Sequence, residues 1–226
     1  MEAEKRHIMI HACPDREWYV NDYLVPSIIE QGIPPDDVAV WMDRNQSGNL
    51  ASWVESCRSL KGIPGGTWHL QDDVLICHDF EERTRQNDGG VVCAFCHDLY
   101  EPHQLFILGE TLPVNMWRSC FPCIRIPNKI ATDFAEWFDS VENREDLQYY
   151  IRQGKCDDVI FHTYMEEEQG YCKVTNLAPH LVEHVDWLIG GSSINSWRCY
   201  VARGAYFYDD YLVDELAEKL SSRKVG

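Results

Sequence analysis

The sequence predicts an α/β protein with one domain, built on a mainly parallel central sheet flanked by helices. Three observations carry that expectation. The hydrophobic period switches from strand to helix twice within the first sixty or so residues, a third apolar strand follows a break rich in Gly and Pro, and the chain shows no repeat, low-complexity tract or linker. Strands that alternate with helices pair in parallel and are covered on both faces.

The elements follow in order. His7-Ile-Met-Ile-His-Ala-Cys13 is a short apolar run closed by Pro14-Asp15 and reads as a strand. From Trp18 to Glu30, Tyr19, Tyr23, Leu24 and Ile28 recur at helical spacing. Val38 to Met42 forms a second strand, Asp43 to Gly48 a polar loop, and Leu50 to Leu60 a helix with Leu50, Trp53, Val54 and Cys57 on one side. After Gly62-Ile-Pro-Gly-Gly66 a third strand, Thr67 to Gln71, runs into Asp72-Asp73 and then into Val74 to Cys77. In the second half Gly90 to Phe95 and Cys123 to Ile126 read as strands, and Lys129 to Phe138 and Asp157 to Glu168 as helices. Asp209 to Leu220 places Tyr211, Leu212, Leu216 and Leu220 on one side and acids elsewhere, the pattern of a solvated amphipathic cap.

A chain of 226 residues buries roughly 70% of its unfolded surface in one core, so no disulfide staple is needed. Twenty Lys and Arg against 37 Asp and Glu leave a net charge of −17, which sets the protein against a broad, non-specific hold on nucleic acid or anionic lipid. No stretch approaches the ~18 apolar residues of a membrane helix, and the charged first residues lack the apolar run of a signal peptide. The expectation is a soluble, cytoplasmic protein, or one of the host cytoplasm if phage-encoded, whose ten cysteines are mostly reduced thiols.

Ligands of such sheets sit beyond the carboxyl ends of the strands. Three polar segments converge there: Cys13-Pro-Asp-Arg16, Asp43-Arg-Asn45 and Asp72-Asp73. The strongest local signal is Trp68-His-Leu-Gln-Asp-Asp-Val-Leu-Ile76, two acids where an apolar strand emerges. Adjacent carboxylates repel and are costly to desolvate, so they persist beside apolar strands when a cation, an arginine or solvent compensates them. A divalent ion does so naturally, because Mg²⁺ or Mn²⁺ takes one or two carboxylates and fills its shell with phosphate oxygens and water. A turn or helix cap explains the pair alone equally well.

Gln71-Asp72-Asp73, placed after a core strand, resembles the acidic signature of the GT-A class of nucleotide-sugar glycosyltransferases. Gly154-Lys-Cys-Asp-Asp-Val-Ile-Phe-His-Thr-Tyr164, Ala178-Pro-His-Leu-Val-Glu-His184 and Gly190-Gly-Ser-Ser-Ile-Asn195 are similar to later segments of the same class. Gln71 departs from the pattern, since many members carry an acid there. The resemblance implies a Rossmann-like GT-A fold, with residues 1–88 as a nucleotide-binding half and 89–226 as an acceptor-side half. It implies Mn²⁺ or Mg²⁺ held by Asp73, with Asp72 as a second ligand or a ribose contact and His184 as a third ligand. Arg16 and Asp43 would meet the nucleotide, the backbone of Gly190, Gly191 and Ser192 would cradle phosphate, and Arg198 would neutralise the departing diphosphate. Asp157 or Asp158 would serve as the general base that inverting transfer requires. The implied donor is a nucleotide-diphosphate sugar, UDP by default, and the acceptor a hydroxyl of a protein, a glycan, a lipid-linked sugar or a modified DNA base. Trp187 and Trp197 flank the Gly-Gly-Ser-Ser segment as candidates for sugar stacking.

Each residue also has a plainer role: an N-cap pair for Asp157 and Asp158, a buried hydrogen-bonded imidazole for His184, a surface arginine for Arg16, a turn aspartate for Asp43. A rival signal is Cys93-Ala-Phe-Cys96 with Cys120-Phe-Pro-Cys123, close to the spacing of a four-thiolate Zn²⁺ site in a non-enzymatic interaction module. Strand-like surroundings oppose it, because alternation points the two thiols of a pair to opposite faces. A degenerate transferase that only binds nucleotide is the third reading. No Gly-x-Gly-x-x-Gly, P-loop or Gly-x-Ser-x-Gly string occurs, which removes the usual routes to a dinucleotide enzyme, an ATPase or a serine hydrolase.

Overall fold

The computed structural model describes residues 7–87, 89–95, 112–114, 121–153, 157–170, 174–177, 180–190 and 210–223. Its strands are β1 (His7–Ala12), β2 (Val38–Met42), β3 (Gly66–Gln71), β4 (Val74–Ile76), β5 (Val91–Cys93), β6 (Leu112–Val114), β7 (Cys123–Pro127), β8 (Val174–Asn176) and β9 (Val182–His184). The helices are α1, a continuous run over residues 17–30, then α2 (Asn49–Ser59), α3 (Phe80–Gln86), α4 (Asn128–Val141), α5 (Gln148–Gln153), α6 (Asp157–Glu168), α7 (Asp186–Ile189) and α8 (Asp210–Arg223). The middle of α1, Val20–Leu24, is a π-helical turn. It immediately precedes Val25-Pro26, where proline has no N–H to give and its ring crowds the preceding turn, so a wider turn absorbs the misfit.

Seven strands form one sheet in the order β2-β1-β3-β7-β5-β8-β6. Pairing is parallel for β1 with β2, β1 with β3, and β5 with β8; β7 is antiparallel to β3 and β5, and β6 to β8. The sheet is therefore mostly parallel, as expected, with two strands reversed. Strands from both halves of the chain share it, a mixed α/β arrangement compatible with a Rossmann-like fold.

The period-2 alternation of β1 and β3 decides which residues meet which layer. Ile8, Ile10, Ala12, Trp68 and Leu70 pack with Tyr19, Val20, Leu24 and Ile28 of α1 and with Leu216 and Leu220 of α8. Met9 faces the other side, where Trp53 of α2, Phe134 of α4 and Phe161 of α6 form a second core. On the helical faces predicted at Tyr19, Tyr23, Leu24 and Ile28 and at Leu50, Trp53, Val54 and Cys57, all residues are buried except Tyr23, which is partly buried against the first core. A separate two-stranded ribbon joins β4 to β9, with Val74 opposite His184 and Ile76 opposite Val182. This ribbon carries the late His184 back to the segment just after Asp73.

The second face also holds a histidine pair. His11 on β1 and His69 on β3 are neighbours across the ladder, with His11 Nε2 and His69 Nδ1 2.9 Å apart, ring centroids 5.2 Å apart and the edge of Trp53 against His69. Their other ring nitrogens, His11 Nδ1 and His69 Nε2, are buried without a hydrogen-bond partner. Burial pushes His11 down to about 3, and burial with the neighbouring His11 pushes His69 well below the ordinary imidazole range. Both rings are thus neutral in the folded protein, one donating and one accepting. Because the unfolded chain takes up protons near pH 6.5 while the native state does not, stability is complete above that pH and falls on acidification. The expected loss is up to about 1.4 kcal/mol per pH unit per ring. Urea midpoints measured from pH 7 to 4 will fall steeply in the wild type and less steeply in His11→Leu/His69→Leu. Equal slopes would show that the pair does not govern the acid limb.

Candidate functional site

The carboxyl ends of β1 and β3 lie side by side, and the chain leaves both through polar segments. After β1, Pro14–Arg16 form a single 3₁₀ turn in which the Arg16 N–H donates to the Cys13 carbonyl at 3.1 Å. Pro14 presets this turn by fixing φ. The turn sends the Arg16 side chain inward rather than into solvent, and only 6% of the residue is exposed. After β3, Asp72 and Asp73 link to β4 and are each 5% exposed.

These three side chains meet. Arg16 Nη1 donates to Asp72 Oδ1 at 2.7 Å and to Asp73 Oδ2 at 2.5 Å, and Arg16 Nε donates to the Gly190 carbonyl at 3.2 Å. The Cys13 N–H donates to Asp72 Oδ2 at 2.8 Å, so both oxygens of Asp72 are engaged. His184 Nε2 lies 3.2 Å from Asp73 Oδ2, and His184 Nδ1 lies 3.6 Å from Asp186 Oδ1. The main chain of this segment is pinned as well, with the Val185 N–H on the Asp73 carbonyl at 2.8 Å and the Tyr19 hydroxyl on the Val74 carbonyl at 2.9 Å. Two atoms are left over: Asp73 Oδ1 and Asp186 Oδ1 are buried and have no hydrogen-bond partner.

Burial disfavours every charge in this group, and the charges hold one another in place. Burial raises Asp73, but His184 and Arg16 override it and hold its carboxyl below the usual range. Burial and the adjacent Asp73 push Asp72 up, against the pull of Arg16. Burial opposes the charged forms of Arg16 and His184, yet Asp73 and Asp72 keep the guanidinium charged, and Asp73 with Asp186 raises the imidazole. The His184 side chain is 19% exposed against 8% for Arg16 and for each member of the acid pair, making it the most accessible part of the group.

The donor chemistry suits a hard divalent ion, namely carboxylates with one imidazole and a free buried oxygen on Asp73. Among the described residues, however, no three His, Cys, Asp or Glu side chains stand as a ready ligand shell. Arg16 Nη1 lies within hydrogen-bond distance of an oxygen on each carboxylate.

The other predicted residues fall as follows. Asp43 reaches the same sheet edge, its N–H on the Ala12 carbonyl at 2.8 Å. Its carboxylate is occupied by the Ser47 N–H and hydroxyl and the Gly48 N–H at 2.8–3.0 Å, which closes the loop into α2. This is the turn role, without a free oxygen for a nucleotide on the present contacts. Asp157 and Asp158, expected as a general base, are not brought to the group. They open α6, whose Ile160, Phe161, Tyr164 and Met165 pack into the second core, on the other face of the sheet from Tyr19 and Val74. First-turn carboxylates are favoured there by free N–H groups and the helix dipole, and Asp158 Oδ1 accepts from the Val159 N–H at 2.8 Å. Burial and then Asp158 push Asp157 up to about 7.

Gly190 ends α7 with φ 78°, a conformation that suits glycine, and its carbonyl rather than its N–H faces the group. Gly191, Ser192, Trp197 and Arg198, and the Trp187 side chain, lie outside the described residues, as do Cys96 and Cys120. Cys93 and Cys123 sit on the adjacent strands β5 and β7 and are fully buried; Cys93 Sγ donates to the Phe95 carbonyl at 2.6 Å. Burial, then Cys93 and Cys77, raise the Cys123 thiol well above its ordinary range. Sequence reasoning missed Asp186, which is 8% exposed beside His184. The His-x-Asp spacing on a strand-to-helix corner was its signal.

Removing Arg16 leaves two buried carboxylates facing each other, a loss of about 3–5 kcal/mol for a broken buried pair. Arg16→Met is expected to lower stability by that amount in urea titrations. Arg16→Met/Asp72→Asn/Asp73→Asn should recover more than half of it. If the triple variant is no more stable than the single, the carboxylates do not depend on the guanidinium.

No family model matches the chain, and no curated protein shows significant similarity to it.

Proposed function

We propose that the protein is a metal-dependent glycosyltransferase of GT-A type that moves a sugar from a nucleotide-diphosphate donor, UDP-linked by default, to a hydroxyl acceptor. One observation carries this reading. Arg16, Asp72, Asp73 and His184, drawn from three separate segments, converge in a buried group at the carboxyl ends of two parallel strands, and one Asp73 oxygen there is unsatisfied. That end of the sheet is where ligands of such folds bind, and buried, mutually perturbed charges cluster at functional sites.

The residues divide the work. Asp73, with Asp72 and His184, would hold a divalent cation, Mn²⁺ or Mg²⁺, which would supply positive charge against a diphosphate leaving group. Asp72 holds the register of the site, since its second oxygen receives the Cys13 N–H and ties the exit of β1 to the exit of β3. Arg16 supplies a planar, permanently charged donor suited to phosphate oxygens. The imidazole of His184 lies between the carboxylates of Asp73 and Asp186. Tyr19 and Val185, through their bonds to Val74 and Asp73 backbone, hold these side chains at fixed separation.

A thermal-shift screen of nucleotides and nucleotide sugars, with and without Mn²⁺, tests the reading. UDP or a UDP-sugar with Mn²⁺ at a hundredfold excess over its dissociation constant should raise the melting temperature by roughly 5–10 °C. Asp73→Ala should abolish the metal-dependent part of that rise. A wild type that shows no metal-dependent shift with any nucleotide would refute the assignment.

A further inference from the structure

We propose that the exposed edge of β2 is a self-recognition surface, on which a second copy of this chain pairs antiparallel about a two-fold axis at Val40 and continues the sheet from one protomer into its partner.

β2 ends the sheet on its side, with β1 as its neighbour. Strands in that position are commonly guarded by charge, proline or a bulge. Val38-Ala-Val-Trp-Met42 has no charge and no proline, and its register against β1 runs without a bulge. Val40 is 39% exposed, Ala39 is exposed as well, and Val38, Trp41 and Met42 are only partly buried.

The main chain selects both the partner and the register. The Asp43 N–H on the Ala12 carbonyl fixes the parity of the parallel ladder, so Ala39 and Trp41 turn their polar groups to β1, and Val38, Val40 and Met42 turn theirs outward. Two of the outward groups are already used. The Val38 N–H donates to the Pro35 carbonyl, and the Met42 carbonyl accepts from the Arg44 N–H at 2.9 Å. The Val38 carbonyl, both groups of Val40 and the Met42 N–H have no partner among the described residues. This set is its own complement. About a two-fold axis at Val40, each Val40 N–H donates to the partner's Val40 carbonyl and each Met42 N–H to the partner's Val38 carbonyl, which satisfies every free group. A shift by two residues sets free groups against used ones.

Side chains agree with the same register. Ala39, small and exposed, falls opposite the partner's Trp41. Arg44, just beyond the end of β2, has a side chain 68% exposed, and its bond to Glu17 lies in solvent. It comes beside the acidic turn, Asp36 and Asp37, that opens the partner's strand. Each copy carries a net charge of −17, so association without such directed contacts is opposed.

Sedimentation equilibrium and amide hydrogen exchange on the full chain test the proposal. The wild type should dimerise as concentration rises, and the Val40 and Met42 amides should become protected in step with dimer formation. V40K sets two like charges opposite each other at the axis and should weaken dimerisation about tenfold or more, with an unchanged circular dichroism spectrum because the side chain is already exposed. V40T keeps the volume and the N–H and should dimerise as the wild type does. D36R should weaken pairing about threefold, and D36R/R44D should restore it. A chain that stays monomeric up to its limit of solubility overturns the proposal, as does a dimer whose Val40 and Met42 amides exchange as they do in the monomer. A V40K dimer as tight as the wild type does the same. If D36R/R44D pairs no more tightly than D36R, the register, and with it the axis at Val40, is wrong.

Discussion

The guanidinium of Arg16 held between two buried carboxylates is the constraint on which the rest of the site depends. It is made by residues 56 and 57 positions apart in the chain, and it closes the exit of β1 onto the exit of β3. Through Asp73 it extends to His184 and the β4–β9 ribbon, and through Gly190 to the end of α7. A group of this kind contributes little net stability, because desolvation offsets most of the attraction. Its effect is on geometry: any rearrangement that separates one member leaves a charge buried and alone. The fold tolerates the arrangement because the apolar cores on both faces of the sheet supply the stability.

Much of the frame was legible. The first three strands and the first two helices declare themselves because each is long enough to show a period, and Pro or Gly marks most of their ends. The structure shifts the ends by one or two residues and inserts a π-turn where Val25-Pro26 interrupts a regular helix. The reversed strand β7 was not legible as reversed: a short apolar run such as Cys123-Ile-Arg-Ile126 has the same appearance in either direction. Strands of three residues, such as β4, β8 and β9, carry no period at all and exist only through their partners. A hydrogen bond between His11 and His69 depends on the register of β1 against β3, which no local pattern encodes.

The site was legible in part, and the parts follow chemistry rather than distance along the chain. Two adjacent acids after an apolar strand demand compensation, and that demand correctly points to Asp72 and Asp73 as a buried, paired group. What compensates them was not readable, because Arg16, a divalent ion and solvent satisfy the same rule. His184 reaches Asp73, although nothing local distinguishes it from an ordinary core imidazole. Asp157 and Asp158 show the opposite failure. Two carboxylates at the start of a helix fit a capping rule equally well, and the structure places them in the first turn of α6, which packs on the other face of the sheet.

The two acids of the pair, similar in sequence, are not equivalent in place. Asp72 has one oxygen on a main-chain N–H and the other on Arg16, so each of its oxygens has a partner. Asp73 has two cationic partners on a single oxygen and none on the other, while its own carbonyl is bound by Val185. Crowding both partners onto Oδ2 is a poor way to satisfy a carboxylate for stability alone, since spreading them over two oxygens would remove a buried unpaired acceptor. The asymmetry therefore reads as a division of labour: Asp72 joins the strand ends, and Asp73 keeps an oxygen in reserve.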